Sequence, residues 1–397
     1  MSYDAPFKDI KVVDLSQGIA GPYCGMLLAQ HGADVIKVEP LHGDWARVLG
    51  PAPANHTEFS FIGSLGKRSL AIDLKCDEAR TIIDALVADA DVFMEGFRPG
   101  VIDRLGFGHE RMMALNPGLI YSSISGFGQT GPLRDKPAMD PVLQAFTGFM
   151  LDNKGEDGIP HRANTIINDM STALYGFQAI APALYAKRDD GRGRFIDVSL
   201  MRGAANLSAI RLMSASQGPL DRTPRTAPSG IFRTGEGWLQ LVILQDKDFL
   251  TLCDLLSLDD LAKDKSLLGN ENRLAQVDML LDRVETVLLT KPATHWRDLF
   301  TEAGLQNEML QDFQEFLAHP QVTETELFSW LNVDGQDSPW PIPNPPGLPK
   351  IEAGTASAMS PVTGQHSNEV LGQLGYDPDA IADLHERKVI TTWTASA

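Results

Sequence analysis

Apolar residues in the first two hundred positions keep two alternating rhythms. Short runs rich in β-branched residues recur at 10–15 (IKVVDL), 34–38 (DVIKV), 91–94 (DVFM), 119–124 (LIYSSI) and 195–200 (FIDVSL). Their length and content predict buried strands. Between them the apolar positions switch to helical spacing, at 20–31, 78–88, 110–115, 170–187 and 201–214. Gly32 closes the first of these helices as a C′ glycine does. Strand–helix–strand alternation predicts a parallel sheet with helices on its faces.

The texture changes after 217–228, a stretch rich in Pro, Thr and Arg that reads as a linker. Residues 230–234 and 238–244 flank Gly-Glu-Gly and predict an antiparallel hairpin. Helical patterns follow at 249–256, 271–289 and 295–303, the makings of a second, smaller α+β domain. Six prolines crowd 339–349 and predict an extended connector, since no helix or central strand tolerates them. Helical patterns return at 367–374 and 379–387, where the tail can pack back on the first domain.

At about 100–200 residues per domain, 397 residues allow two or three domains. Lys and Arg number 34 against 52 Asp and Glu, a net charge of −18. That balance argues against nucleic-acid binding and against a polybasic membrane contact. It leaves room for an anionic small ligand in a local cationic pocket. Three scattered cysteines, Cys24, Cys76 and Cys253, have no CxxC spacing, and no HExxH is present. Neither a disulfide framework nor a metal site is expected. The N-terminus lacks the apolar core of a signal peptide, and no apolar run reaches the roughly 18 residues of a membrane helix. The expectation is a cytoplasmic enzyme.

Candidate chemistry begins in the turn after the first strand, Ser16-Gln17-Gly18-Ile19-Ala20-Gly21-Pro22. Small residues at a strand–helix junction let backbone N–H groups approach an anionic or carbonyl ligand. Glu39 ends the second strand, where a dinucleotide enzyme carries its ribose-binding acid, but GxGxxG is missing. Lys67, Arg68, Lys75, Arg98 and Arg104 lie near strands and form either a phosphate-recognising rim or ordinary surface charge. Asp169 precedes the long helical stretch from Met170. It is either an N-cap or a carboxylate nucleophile that needs no neighbouring base. Asp140 suits a helix start as well as a catalytic role.

Several segments in order resemble the class III CoA-transferases, the family of formyl-CoA transferase, carnitine CoA-transferase and α-methylacyl-CoA racemase. They are Val13-Asp14-Leu15 with Ala20-Gly21-Pro22, Gly32 to Glu39 (GADVIKVE), Gly66-Lys67-Arg68-Ser69 with Asp73-Leu74-Lys75, and Phe97-Arg98-Pro99-Gly100. Gly126 to Pro132 (GFGQTGP), Asp197-Val198-Ser199-Leu200, His319-Pro320-Gln321 and Gly364-Gln365-His366 continue the set. Each piece is weak alone; the ordered set is specific and spans nearly the whole chain.

The resemblance implies an α/β fold. A large Rossmann-like domain would comprise residues 1–215 and 340–397, with a small α+β domain at 226–330 and linkers at 216–225 and 331–349. It also implies a homodimer of interlocked chains. The family's nucleophile matches Asp169, and the implied reaction moves CoA from an acyl-CoA to a carboxylic acid. The steps would run through an acyl anhydride and an aspartyl-CoA thioester. Gln17 and Gly18 are the implied oxyanion donors. CoA contacts carried over are Ile19, Ala20, Ile72, Lys75, Phe97, Arg98, Val101 and Arg104, with no metal.

The chain also departs from the pattern. Gly96 stands where formyl-CoA transferases have Asn, and Pro40 where they have a nucleotide-binding cation, leaving Arg47 as the candidate replacement. Their glycine-rich active-site loop shrinks to Pro228-Ser229-Gly230. The alternatives are a racemase and a non-catalytic CoA-binding relative. Racemases of the family place His directly before the acid matching Asp140; here that residue is Met139, with His161 as a substitute elsewhere.

Overall fold

The computed structural model describes residues 5–393 except 53, 54, 156, 219 and 221–223. The chain divides into two compact units, Met1–Met213 with Glu326–Ala397, and Ser214–Thr325.

The first unit is built on one sheet. Its strands are β1 (Lys11–Asp14), β2 (Asp34–Glu39), β3 (Arg68–Ile72), β4 (Val92–Glu95), β5 (Ile120–Ser125) and β6 (Arg194–Ser199). They run parallel in the order β3-β2-β1-β4-β5-β6, and a last short strand, Ile390–Thr391, adds antiparallel to β3. The register sets Val13 beside Ile36 on one side and Phe93 on the other. Both faces are covered, so apolar residues predominate on both sides of the central strands and their polar exceptions, such as Asp14, Lys37, Ser69 and Glu95, are buried too.

One face packs Val13, Val38, Leu70, Phe93 and Tyr121 against α3 (Asp77–Ala88), α5 (His109–Leu115) and the C-terminal helices Ser367–Gln373 and Pro378–Glu386. The other packs Val12, Val35, Met94 and Ile120 against α1 (Ala20–Gln30) and α8 (Ile167–Asp190). Between these in sequence lie α2 (Glu58–Ser64), α4 (Val101–Leu105), α6 (Asp140–Phe146) and α7 (Phe149–Asp152). α1 is buried nearly all round because Gly21 and Gly25 let it lie close to the sheet. A Cβ at Gly25 would come 2.7 Å from both Asp14 Oδ2 and Lys67 Nζ.

The strand order reverses between β1 and β4, so their carboxyl ends open a crevice at a topological switch point. Leu15 N–H donates to the Met94 carbonyl at 2.8 Å, which carries the pairing into the turns beyond.

The second unit has a three-stranded antiparallel sheet of β7 (Gly230–Arg233), β8 (Trp238–Val242) and β9 (Gln306–Met309). Phe232, Leu239 and Leu241 pack on Phe249, Val284, Trp296 and Phe300. β9 escaped the sequence reading because its four residues are mostly polar.

Several expectations need correction. The 201–214 helix breaks at Ser208 into α9 (Leu200–Leu207) and α10 (Ala209–Ser216). The 271–289 helix breaks into Asn270–Leu274 and Val277–Leu288. There Arg273 is drawn inward to donate to the Ala227 carbonyl at 2.7 Å. The proline-rich connector contains a strand, Trp340–Pro343, paired antiparallel with Phe328–Leu331. Its prolines, 341 and 343, alternate with Ile342, so a two-stranded ribbon tolerates their missing N–H groups. Residues 219 and 221–223 of the expected 216–225 linker lie outside the described residues. Among the described residues no helix is long and apolar enough to cross a membrane.

Candidate active site

The turn after β1 is held from below by buried charge. Asp14 accepts the Ser16 N–H at 3.0 Å and the Ser16 hydroxyl. Its other oxygen takes Lys67 Nζ at 2.7 Å, and that ammonium also donates to the Pro22 carbonyl at 2.8 Å. Lys37 Nζ donates to Asp44 at 2.7 Å and to the Ser16 carbonyl at 3.2 Å. Asp44 in turn accepts the Gly18 N–H at 3.0 Å. Gly18 has φ +82°, and a Cβ there would overlap the Trp45 ring. Backbone in that region favours glycine, and here the packing excludes a side chain as well.

These contacts correct four expectations. Gly18 is no oxyanion donor, because its N–H is spent on Asp44. Arg47 is buried on Glu39, with bonds of 2.8 and 2.9 Å, and cannot reach a nucleotide. Glu39 is therefore a structural partner of Arg47 and not a ribose acid. Burial alone would raise its pKa, but the Arg47 hydrogen bond and charge, with Lys37 and Ser69, hold it below the usual range. Lys67 is fully buried on Asp14 and leaves the phosphate rim.

Asp169 stands in the first turn of α8, whose N-cap is Ile166. It is not the cap. That work is done by Asp140, at the start of α6 and 2% exposed. Asp140 Oδ2 accepts the N–H groups of Asn168 at 2.6 Å and Asp169 at 3.3 Å. Its Oδ1 takes Gln144 Nε2 at 2.6 Å. The Asp169 carboxyl lies instead against the N-terminus of α1, within the pull of the Ala20 N–H. Burial and the nearby Asp140 charge raise its pKa to about 7, against the pull of that N–H. A carboxylate so poised is a stronger nucleophile than an ordinary aspartate once ionised.

The structure thus brings Asp169 to the turn of Gln17, Gly18, Ile19 and Ala20. The turn after β4 meets the same place. A Cβ at Gly96 would lie 3.3 Å from the Ser16 Cβ and 3.5 Å from the Gln17 nitrogen. Phe97 is half-buried against the core, Arg98 is exposed, and Val101 and Arg104 follow on α4. A cavity of about 440 Å³ opens here, lined by Phe97, Arg98, Gly126, Arg134, Lys136 and Met139. Arg134 and Lys136 escaped the sequence reading; their only signal was their place just after the Gly126–Pro132 motif. Lys136 stands 5.6 Å from the centroid of the Phe127 ring.

Two further calls on the rim and pocket change. Arg68 begins β3, at the opposite end of the sheet, and pairs with Asp34 and Glu369. Ile72 is fully buried in the core beside Ile390 and lines no open surface. Lys75, Arg98 and Arg104 remain exposed, and none pairs with a carboxylate among the described residues. Free cations of this kind suit phosphate groups. Among the described residues no group of three or more His, Cys, Asp or Glu side chains is arranged to hold a metal ion.

Comparison with known proteins adds an independent line. A family model described as CoA-transferase family III matches residues 7–367. The chain is 36% identical over 366 residues to an acetyl-CoA:oxalate CoA-transferase of Acetobacter aceti, covering 87% of this chain and 93% of that one. It is 31% identical over 401 residues to the human succinyl-CoA:glutarate CoA-transferase, covering 97% and 90%. Among solved structures, a CaiB/BaiF family protein from Brucella suis superposes with TM-score 0.79 at 27% identity, over 94% of this chain and 100% of that one.

Proposed function

The chain belongs to CoA-transferase family III, and we propose that Asp169 is the nucleophile by which it moves CoA from an acyl-CoA to an acceptor carboxylic acid. The observation that carries this is the position of Asp169 in the first turn of α8, capped by Asp140 and set against the N-terminus of α1 at the switch-point crevice.

In the first step an Asp169 oxygen attacks the thioester carbonyl. The C–S bond breaks, leaving a mixed anhydride and CoA thiolate. The thiolate attacks the Asp169 carbonyl, the donor acid departs as its carboxylate, and an aspartyl-CoA thioester remains. The acceptor carboxylate attacks that thioester and releases the thiolate again, forming a second anhydride. The thiolate then takes the acceptor acyl group and frees Asp169. Covalent catalysis divides one hard transfer into easier ones.

Each tetrahedral oxyanion needs donors. With Gly18 N–H engaged, the backbone N–H groups of Gln17 and Ile19 take that role. Phe97 and Val101 form the apolar wall for the nucleotide, and Lys75, Arg98 and Arg104 meet its phosphates. Relatives named for oxalate and glutarate support small carboxylic acids as acceptors. A homodimer, its chains interlocked, is supported by exposed apolar side chains on α8 to α10: Leu174, Leu207, Ile210 and Met213. Three free cysteines support a reducing, cytoplasmic setting.

The test is direct. The protein is incubated with a panel of acyl-CoA thioesters, quenched with hydroxylamine or borohydride, and mapped by mass spectrometry. A modification on Asp169, absent in Asp169→Ala along with transfer, is the expected result. Full transferase activity in Asp169→Ala would overturn the proposal.

A further inference from the structure

We propose that Glu95 is a positioning residue that ties the two walls of the CoA crevice to each other. The inference rests on the CoA-transferase reading of that crevice. Glu95 ends β4 and is 1% exposed. Its two oxygens serve two different segments. One accepts the Phe97 N–H at 2.8 Å, in the turn that carries Arg98. The other accepts the hydroxyl of Ser123 on β5.

Ser123 has one proton to give, and its oxygen in turn accepts Gln129 Nε2 at 2.7 Å. The Gln129 N–H donates to Asp197 at 3.2 Å, and the Gly128 N–H to Ser125 Oγ at 3.1 Å. The loop leading to Arg134 and Lys136 is thereby pinned through Ser123 to the same carboxylate that holds the Phe97–Arg98 turn. These two segments are the facing walls of the 440 Å³ cavity. No cation pairs with Glu95 among the described residues, so only neutral donors satisfy it.

The anchor needs an acceptor toward the Phe97 N–H and a hydrogen bond of either direction toward the Ser123 hydroxyl, which both donates and accepts. Burial pushes the Glu95 pKa up to about 7, against the Ser123 and Phe97 hydrogen bonds, and the Asp103 and Asp197 charges push the same way. His109 of α5, Tyr121 of β5 and Arg134 of the loop face it across a second cavity of about 310 Å³.

The experiment measures CoA affinity by calorimetry for the full-length protein, for Glu95→Leu and for Glu95→Gln. Leucine offers neither wall a partner, whereas glutamine can accept the Phe97 N–H at its oxygen and donate its amide to the Ser123 oxygen. Glu95→Leu binds CoA about fivefold more weakly, the equivalent of one lost hydrogen bond, and Glu95→Gln restores most of that affinity. At saturating substrate kcat changes little, since Asp169 is untouched. Gln129→Leu, which cuts the relay without altering the buried acid, weakens CoA binding in the same direction and keeps the test open if Glu95→Leu fails to fold. Equal affinities in the unaltered protein and Glu95→Leu, or a Glu95→Gln that binds no better than Glu95→Leu, would overturn the inference. Failure of the unaltered protein to bind CoA would instead refute the reading of the crevice.

Discussion

The carboxylate of Asp140 accepts the backbone N–H of Asp169 at 3.3 Å, so one acid caps the helix that carries the other. The cap must be buried to do this, and its charge then bears on its neighbour. Asp140→Asn keeps an acceptor oxygen and removes the charge. Its kcat/KM profile is expected to shift to lower pH, because one cause of the raised Asp169 pKa is gone. Asp140→Ala leaves the Asn168 and Asp169 N–H groups without their acceptor, at a cost of about 1–2 kcal/mol in thermal or urea unfolding. An unchanged pH midpoint in Asp140→Asn would show that the two carboxyls are not coupled.

On the proposed mechanism, Asp169 itself sets the pH dependence. Burial and the Asp140 charge push its pKa up to about 7, from an ordinary value of 3.8. The nucleophile must be ionised, so kcat/KM rises with pH through about 7. The linkage runs the other way for stability. A folded pKa above the unfolded one means that the group favours folding below pH 3.8 and that this is lost as pH rises through 7. Asp169→Asn is therefore expected to be inactive yet more stable at pH 8, by roughly 1–2 kcal/mol after allowing for its partial exposure. At pH 3 the difference vanishes. Equal unfolding midpoints at pH 8 would contradict the raised pKa.

Gly18 is the tightest point of the catalytic turn. Alanine there meets both the φ of +82° and the Trp45 ring. Gly50, with φ +109° and nothing within 4 Å of an added Cβ, carries only the first penalty. Gly50→Ala should cost about 1 kcal/mol. Gly18→Ala should cost more and lower kcat at least tenfold, because displacing the turn moves Ala20 away from Asp169. Parallel unfolding curves and initial rates separate the two, and equal kcat values would remove the turn from the mechanism.

Cations at the two ends of the sheet should behave differently. Lys75→Ala and Arg104→Ala remove unpaired charges from the crevice end. Each is expected to raise KM for acyl-CoA about three- to tenfold, with kcat nearly unchanged. Arg68→Ala removes an exposed pair at the other end. Such pairs contribute little, and KM should stay as it is. A KM change in Arg68→Ala as large as in Lys75→Ala would indicate a long-range field and not a phosphate contact.

Strands and helices of the sheet unit were legible in the chain because their signals are local. Runs such as 34–38 and 119–124 are rich in β-branched and apolar residues and buried along nearly all of their length, Lys37, Ser122 and Ser123 included, since both faces of β2 and β5 are covered. The ordered motifs around Asp14, Phe97 and Asp197 pointed to the family for the same reason: they are short and lie in sequence order. What the sequence could not show is which of several identical charges faces solvent. Lys37, Lys67 and Arg47 read no differently from Lys75 and Arg104, yet three are buried and two are free. Likewise only the folded chain gives the capping of α8 to Asp140 and relieves the Asp169 carboxyl of it. The partners that decide this lie far apart in the chain, 53 residues for Lys67 and Asp14 and 28 for Asn168 and Asp140. Local periodicity determined where the chain forms strand and helix; burial and pairing across those distances decided which charges became scaffold and which stayed available for chemistry.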